Sequence, residues 1–131
     1  MYKIVTMNLV HTLLRIGLGI MLLAFGLNKF FWFMPDFEFG GNVDAANLFQ
    51  AFTDSGYMWP LVGGLEALVG ILFITKKFFP VALLALIPIS VNIVLFHAVL
   101  DPPNIVPALL VAVLNGYFIY RNWNNYRHFF S

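Results

Sequence analysis

The stretch Trp59-Pro-Leu-Val-Gly-Gly-Leu-Glu-Ala-Leu-Val-Gly-Ile-Leu-Phe-Ile74 is apolar except for one carboxylate near its centre, Glu66. In a bilayer such a charge costs about 2.5–3.5 kcal/mol on insertion scales, so it normally faces the protein interior and has a partner. The fold therefore depends on whether this stretch crosses a membrane, and the function depends on what pairs with Glu66.

The composition favours a membrane protein. The 131-residue chain is 61% hydrophobic and 10% charged, whereas soluble domains average about 45–50% and 25%. A net charge of +1 gives no basis for binding nucleic acid. Because the chain has no cysteine, disulfides, thiol redox chemistry and thiolate metal ligands are excluded within it. We expect a single domain over residues 1–131.

Four apolar segments predict transmembrane helices, over about residues 9–28, 59–75, 78–100 and 104–121. The predicted fold is all-α, a bundle of four transmembrane helices. The long connection between the first two helices places Leu48, Phe49 and Phe52 on one helical side. This pattern predicts a short amphipathic helix in the first extracytoplasmic loop, lying at the outer membrane surface.

The charged residues predict the orientation. Basic residues occupy the N-terminal tail, the second loop and the C-terminal tail: Lys3, Lys76, Lys77, Arg121 and Arg127. Acidic residues occupy the first and third loops: Asp36, Glu38, Asp44, Asp54 and Asp101. The excess of lysine and arginine on one side predicts that both termini are cytoplasmic.

Helical spacing predicts which faces point inward. The first helix has a stripe of Arg15, Gly19, Leu22, Gly26 and Lys29, and the second groups Gly63, Glu66, Ala67 and Gly70. At about 1.5 Å per residue, Arg15 lies about 9 Å, Glu66 about 12 Å and Asn115 about 8 Å from the cytoplasmic side. We therefore expect Arg15 to pair with Glu66, with a further hydrogen bond from Asn115. The pair would either fix the helix register or serve a function.

The motifs Leu14-Arg15-Ile-Gly-Leu-Gly-Ile, Ala24-Phe-Gly-Leu-Asn-Lys29 and Gly63-Gly-Leu-Glu66-Ala-Leu-Val-Gly70, followed by a helix containing His97, resemble the DoxX family of small four-helix membrane proteins. The resemblance covers nearly the whole chain. It implies a bacterial or archaeal inner-membrane protein. Relatives of the DoxD type are associated with a thiosulfate:quinone oxidoreductase, and others with complexes that handle oxidative or thiol stress.

Two function classes follow. In one, the protein is a quinone-linked redox subunit of a membrane oxidoreductase complex. Its outer pocket would contain Glu66, Asn92 and His97, with Lys29 nearby and Phe31 or Trp32 as a lid. In the other, it is a membrane scaffold or anchor, or a small transport component. Lipid, a partner redox subunit and a second copy are the expected partners.

The histidines argue against other cofactors. A bis-histidine haem needs two histidines at one depth, but His11 is predicted near the inner side, His97 near the outer side and His128 in the tail. Zinc needs three or four ligands, which His97 with Lys29 and Asn92 would not supply. We expect no metal site. An alternative role for His97 is to bond the last free carbonyls of its helix.

Overall fold

The computed structural model describes residues 2–34 and 42–129, and the side chains of residues 7–34 and 42–128. Its helices are α1 (Tyr2–Phe31), α2 (Val43–Ser55), α3 (Met58–Thr75), α4 (Phe79–Leu100) and α5 (Ile105–Arg121). Short 3₁₀ turns cover Pro102–Asn104, Trp123–Asn125 and Arg127–Phe129. These described segments contain no strand. The acidic and aromatic part of the first loop, residues 35–41, and the side chain of Lys3 lie outside them.

Four of the helices are long and apolar enough to cross a membrane: residues 7–31 of α1, then α3, α4, and residues 102–121 with α5. Large apolar side chains such as Leu13, Leu68, Val81 and Val113 are exposed on their outer faces. Such faces suit lipid, which solvates apolar side chains. The predicted all-α bundle of four membrane-spanning helices is confirmed.

Glycines set the register between α1 and α3, which run antiparallel and form the most extensive contact in the bundle. A Cβ on Gly19 would lie 2.8 Å from the carbonyl oxygen of Gly70, and one on Gly26 would lie 2.6 Å from that of Gly63. Both distances are too short for a real side chain, so the two backbones touch only because these positions are glycine. The two predicted stripes therefore face each other.

Aromatic rings join α3 to the other two helices. Phe73 of α3 meets Phe79 of α4 edge to face, with ring centroids 4.9 Å apart, and Phe79 meets Phe118 of α5 at 5.5 Å. Phe73 is completely buried. Edge-to-face pairs of this kind stabilise a core beyond their buried area. α4 and α5 form the second large helix contact, so the bundle consists of two antiparallel pairs joined through this aromatic core.

The short helix predicted in the first loop is present as α2, and it packs on one end of the bundle. The side chain of Asn42 caps α2 by accepting from the amide of Ala45, and it also donates to the carbonyl oxygen of Leu100 at the end of α4. Ala45 is fully buried. The apolar side of α2 therefore faces the bundle, while Asp44, Asn47 and Gln50 are exposed.

Candidate functional site

An ion pair between Lys29 and Glu66 lies at the α1–α3 interface. The Nζ of Lys29 is 3.1 Å from each carboxylate oxygen of Glu66 and 3.4 Å from the carbonyl oxygen of Phe25. The Glu66 side chain is 4% exposed and that of Lys29 is 19% exposed. The buried carboxylate is therefore neutralised by a cation that reaches the edge of the bundle.

The predicted pairing of Arg15 with Glu66 is wrong. Arg15 instead donates from Nη1 to the carbonyl oxygens of Phe73 and Ile74, in the last turn of α3. A cation there satisfies carbonyls that have no partner within the helix and opposes the negative end of the helix dipole. Arg15 therefore caps α3.

The glycine register explains why Glu66 pairs with Lys29. With Gly19 opposite Gly70, Arg15 lies about two helical turns, or roughly 12 Å, from the level of Glu66. Side chains on a helix tilt toward its N-terminus. Because α1 and α3 are antiparallel, the side chains of Lys29 and Glu66 tilt toward each other, whereas that of Arg15 tilts away.

A cavity of about 280 Å³ lies beside Lys29, between the end of α1, α2 and the start of α3. Its walls are mainly aromatic: Phe30, Trp32, Phe52 and Trp59, with Thr53, Gly56 and Pro60. Lys29 is the charged side chain that reaches it. The arrangement provides a partly open, mainly aromatic chamber with a hydrogen-bond donor in its wall, and ligand sites combine apolar walls with a few polar groups in this way.

Trp59 organises the wall of this chamber. Its indole packs against Trp32, Phe49 and Phe52, with ring centroids 6.3, 4.8 and 5.5 Å away. Its Nε1 donates to the hydroxyl of Thr53 over 2.9 Å, and that hydroxyl donates to the carbonyl of Phe49. α2 is thereby fastened to α3, so the aromatic wall is held in place without a ligand.

The proposed lid residues differ in position. Trp32 lines the chamber and adopts a left-handed backbone conformation, with φ 50°, directly after α1. Its amide donates to the carbonyl of Asn28, which closes the last turn of the helix. Phe31 is 73% exposed and points outside the chamber walls. Trp32 therefore belongs to the candidate site, and its neighbour Phe30 takes the place expected for Phe31.

Asn92 and His97 do not join Lys29, contrary to the predicted outer site. Asn92 is exposed and donates to the carbonyl of Pro88 in its own helix. His97 Nδ1 lies 3.1 Å from the carboxylate of Asp101, which is 1% exposed. α4 packs mainly on α5, not on α1, so its polar residues lie away from the Lys29–Glu66 pair.

Asn115 also has other partners than those predicted. Its amide donates to the carbonyl of Leu83, and its carbonyl accepts from the hydroxyl of Ser90, both over 3.0 Å. These bonds cross the α4–α5 interface, where both Ser90 and Asn115 are buried. They fix α5 on α4 and do not reach Glu66.

The histidines are also separated. His11 contacts the hydroxyl of Tyr117 at the end of the bundle that holds Arg15, whereas His97 lies at the end covered by α2. Within residues 2–34 and 42–129, no three histidine or acidic side chains come together as metal ligands would.

Sequence reasoning missed Trp59, Phe52 and Thr53 as parts of the site. The relevant signal was present, because Phe49 and Phe52 fall on one side of α2. That side was assigned to the membrane surface, whereas the structure turns it toward Trp59. Sequence reasoning placed Asp101 in the third loop without assigning it partners, and the structure buries it there against His97 and Asn104.

The glycine-lined α1–α3 interface and its ion pair lie within the part of the chain that matches a known family, DoxX, over residues 10–98. The protein belongs to the DoxX family. The match includes all of the candidate site. In this DoxX protein, α5 lies beyond the matched residues and is joined to α4 by Asn115. No curated protein and no solved structure shows significant similarity to the chain.

Proposed function

We propose that this DoxX protein binds the head group of a membrane quinone in the chamber beside Lys29, as a quinone-binding subunit of an oxidoreductase complex. The proposal rests on one observation, which is that an aromatic chamber lies directly beside a buried ion pair. Ligand chambers in proteins are apolar, with a few polar groups that orient the ligand.

The size of the chamber supports a ring-sized ligand. Its volume of about 280 Å³ is slightly below the roughly 300–1,000 Å³ common for ligand sites, so it suits only a small ligand group. A single quinone ring fits such a space, and the isoprenoid tail would extend into lipid. The indole planes of Trp32 and Trp59 are 85° apart, so one of them would stack on the face of the quinone ring and the other would contact the ring edge-on.

Lys29 and Glu66 supply the chemistry that quinone reduction needs. The Lys29 ammonium would donate a hydrogen bond to a ring carbonyl and stabilise the negative charge that accumulates on it. Glu66, held within 3.1 Å of Lys29, would accept or release protons through it. Reduction consumes two electrons, which would come from a partner redox subunit, and two protons, which would come from water by way of Glu66 and Lys29.

A scaffold or anchor remains the second candidate, and a different observation favours it. Among the described side chains, no buried nitrogen or oxygen lacks a hydrogen-bond partner. The Lys29–Glu66 pair is therefore complete without a ligand and could serve only to fix α1 against α3. The two functions differ in whether the chamber binds a quinone.

Co-purification distinguishes the two functions. The protein is expressed in bacterial membranes, purified in mild detergent and extracted with organic solvent, and the extract is assayed for quinones. We expect nearly one quinone per chain, and its loss in Trp59→Ala but not in the control Trp123→Ala, because Trp123 lies at the other end of the bundle. Equal quinone content in all three proteins, or none in any, would support the scaffold.

We also place the protein in the bacterial inner membrane with both termini in the cytoplasm. The structure puts Lys77 and Asp44 at opposite ends of the bundle, and the lysine and arginine bias gives the direction. Because the chain has no cysteine, single cysteines can be introduced at either position. Asp44→Cys should react with an impermeant thiol reagent outside intact cells and Lys77→Cys should not. Labelling of Lys77→Cys but not of Asp44→Cys would mean that both termini face the outside of the cell.

A further inference from the structure

Four exposed cations lie together at the end of the bundle opposite α2. This group, called the basic end below, consists of Lys76, Lys77, Arg121 and Arg127. The lysines connect α3 to α4, whereas Arg121 ends α5 and Arg127 lies in the tail that follows. The ends of three helices therefore bring the four cations to one side of the protein.

No described carboxylate offsets these charges. Asp44, Asp54 and Asp101 lie at the α2 end, and Glu66 is paired with Lys29. Among the described side chains, those of residues 7–34 and 42–128, Glu66 pairs with Lys29 and Asp101 pairs with His97. The basic end is therefore a local excess of positive charge on a chain of net charge +1.

The tail after α5 is fastened so that its arginine lies near the two lysines. Tyr126 is 2% exposed, and its hydroxyl donates to the carbonyl oxygen of Pro80, in the first turn of α4, over 2.7 Å. Arg127 follows Tyr126 directly, and Lys77 lies just before α4. The hydrogen bond thus holds the tail against the loop that carries the lysines.

Exposed aromatic side chains indicate the depth of the basic end in the membrane. Phe78, Tyr120 and Trp123 are 73%, 77% and 47% exposed and adjoin the four cations in sequence. Tyrosine and tryptophan concentrate at the level of the lipid head groups. These aromatic side chains therefore predict that the cations lie at the level of the lipid phosphates.

We propose that the basic end binds the phosphate of an anionic phospholipid head group. Lysine and arginine side chains at the membrane surface are attracted to anionic lipids, and several of them together bind more strongly than one. A zwitterionic lipid carries its own compensating cation and gains less. The fastening by Tyr126 lowers the entropic cost of gathering the charges, since the tail is already in place.

Thermal unfolding of the full chain in non-ionic detergent tests this site, with phosphatidylglycerol, phosphatidylcholine or inorganic phosphate added at equal concentration. We expect phosphatidylglycerol to raise the Tm by on the order of 5 °C, and the other two to raise it by less than half as much. An equal rise with inorganic phosphate would show a general anion site, and an equal rise with phosphatidylcholine a non-specific lipid effect. Either result would overturn the proposal.

Variants of the basic end can separate the effect of its local charge on lipid binding from the effect of the protein's net charge. Lys77→Gln with Arg127→Gln should lose most of the response to phosphatidylglycerol, whereas Lys77→Arg with Arg127→Lys should keep it. Adding Asp44→Asn and Asp54→Asn to the glutamine pair restores the net charge of the wild type without restoring the basic end. We expect that fourfold variant to remain unresponsive. Recovery of the response there would mean that total charge, and not this site, governs lipid binding.

Discussion

Lys29 and Glu66 lie on facing helices, with the ammonium nitrogen 3.1 Å from both carboxylate oxygens, in an interface where glycine backbones touch. The two residues differ in access to solvent, since the carboxylate is 4% exposed and the lysine 19%. Substitutions of the two residues should therefore differ in their effect on stability. The more exposed of the two, Lys29, also lines the aromatic chamber.

Lys29→Met should destabilise the protein more than Glu66→Leu. Loss of the lysine leaves a buried carboxylate uncompensated, at about 3–5 kcal/mol. Loss of the glutamate leaves a lysine that can extend toward the head groups. The double variant should therefore unfold at a higher temperature than Lys29→Met alone.

As a control, the losses of unfolding free energy from Arg15→Leu and from Glu66→Leu should be additive, because Arg15 bonds the end of α3 and not Glu66. Coupling between Arg15 and Glu66 would contradict the register described here.

The glycines of α1 provide a matched pair. A Cβ on Gly26 would lie 2.6 Å from the amide nitrogen of Ala67, whereas one on Gly17 meets nothing within 4 Å. Gly26→Ala should cost at least about 1–3 kcal/mol of unfolding free energy through overpacking. Gly17→Ala should be neutral or slightly stabilising, because alanine favours the helix. Similar thermal unfolding of the two variants would mean that α1 and α3 are further apart than the structure shows.

Asn115 and Asn92 offer a second matched comparison. Asn115→Leu removes two buried bonds, to Leu83 and Ser90, and should lower the unfolding free energy by about 1–3 kcal/mol. Asn92→Leu alters an exposed side chain bonded within its own helix, so its effect should stay within about 0.5 kcal/mol. A larger loss for Asn92 would place that residue in a contact that the isolated chain does not contain, such as a partner interface.

The stability of the protein should decrease at alkaline pH because the hydroxyl of Tyr126 ionises. Burial raises the pKa of Tyr126 from the usual 10.0 to about 12. The stabilisation from Tyr126 is therefore complete below pH 10 and is lost as the pH rises toward 12. The reason is that its hydroxyl ionises at a lower pH in the unfolded chain than in the folded protein. Tyr126→Phe should be less stable at neutral pH, having lost the bond to Pro80, and its stability should fall less steeply between pH 10 and 12. Parallel pH profiles of Tm for the two proteins would refute this account.

The sequence was sufficient to predict the four spans and the faces of α1 and α3 that meet, because apolar length and helical spacing are local properties. The partner of Glu66 could not be obtained in this way. Depths were counted from the ends of separate apolar runs, but the register is set by the contacts of Gly19 with Gly70 and Gly26 with Gly63. A shift of two turns between facing helices changes which cation reaches the carboxylate.

The predicted outer site failed for a related reason. Lys29, Asn92 and His97 all fall in the outer halves of the predicted spans, but that shared side does not determine which helices are neighbours. α1 packs mainly on α3, so the groups that approach Lys29 come from α3 and α2. Trp59 and Phe52 are apolar and carry no signal that separates a chamber wall from an ordinary core residue.

The most direct test of the quinone proposal is a titration with a short-chain quinone, followed by tryptophan fluorescence in detergent. In Trp123→Phe the remaining indoles, Trp32 and Trp59, both line the chamber. We predict saturable quenching in this protein and at least tenfold weaker binding when Lys29→Met and Glu66→Leu are added, since a hydrogen bond from a charged group contributes about 1.5–3 kcal/mol. Quenching that rises linearly and does not depend on Lys29 would contradict a quinone site in the chamber.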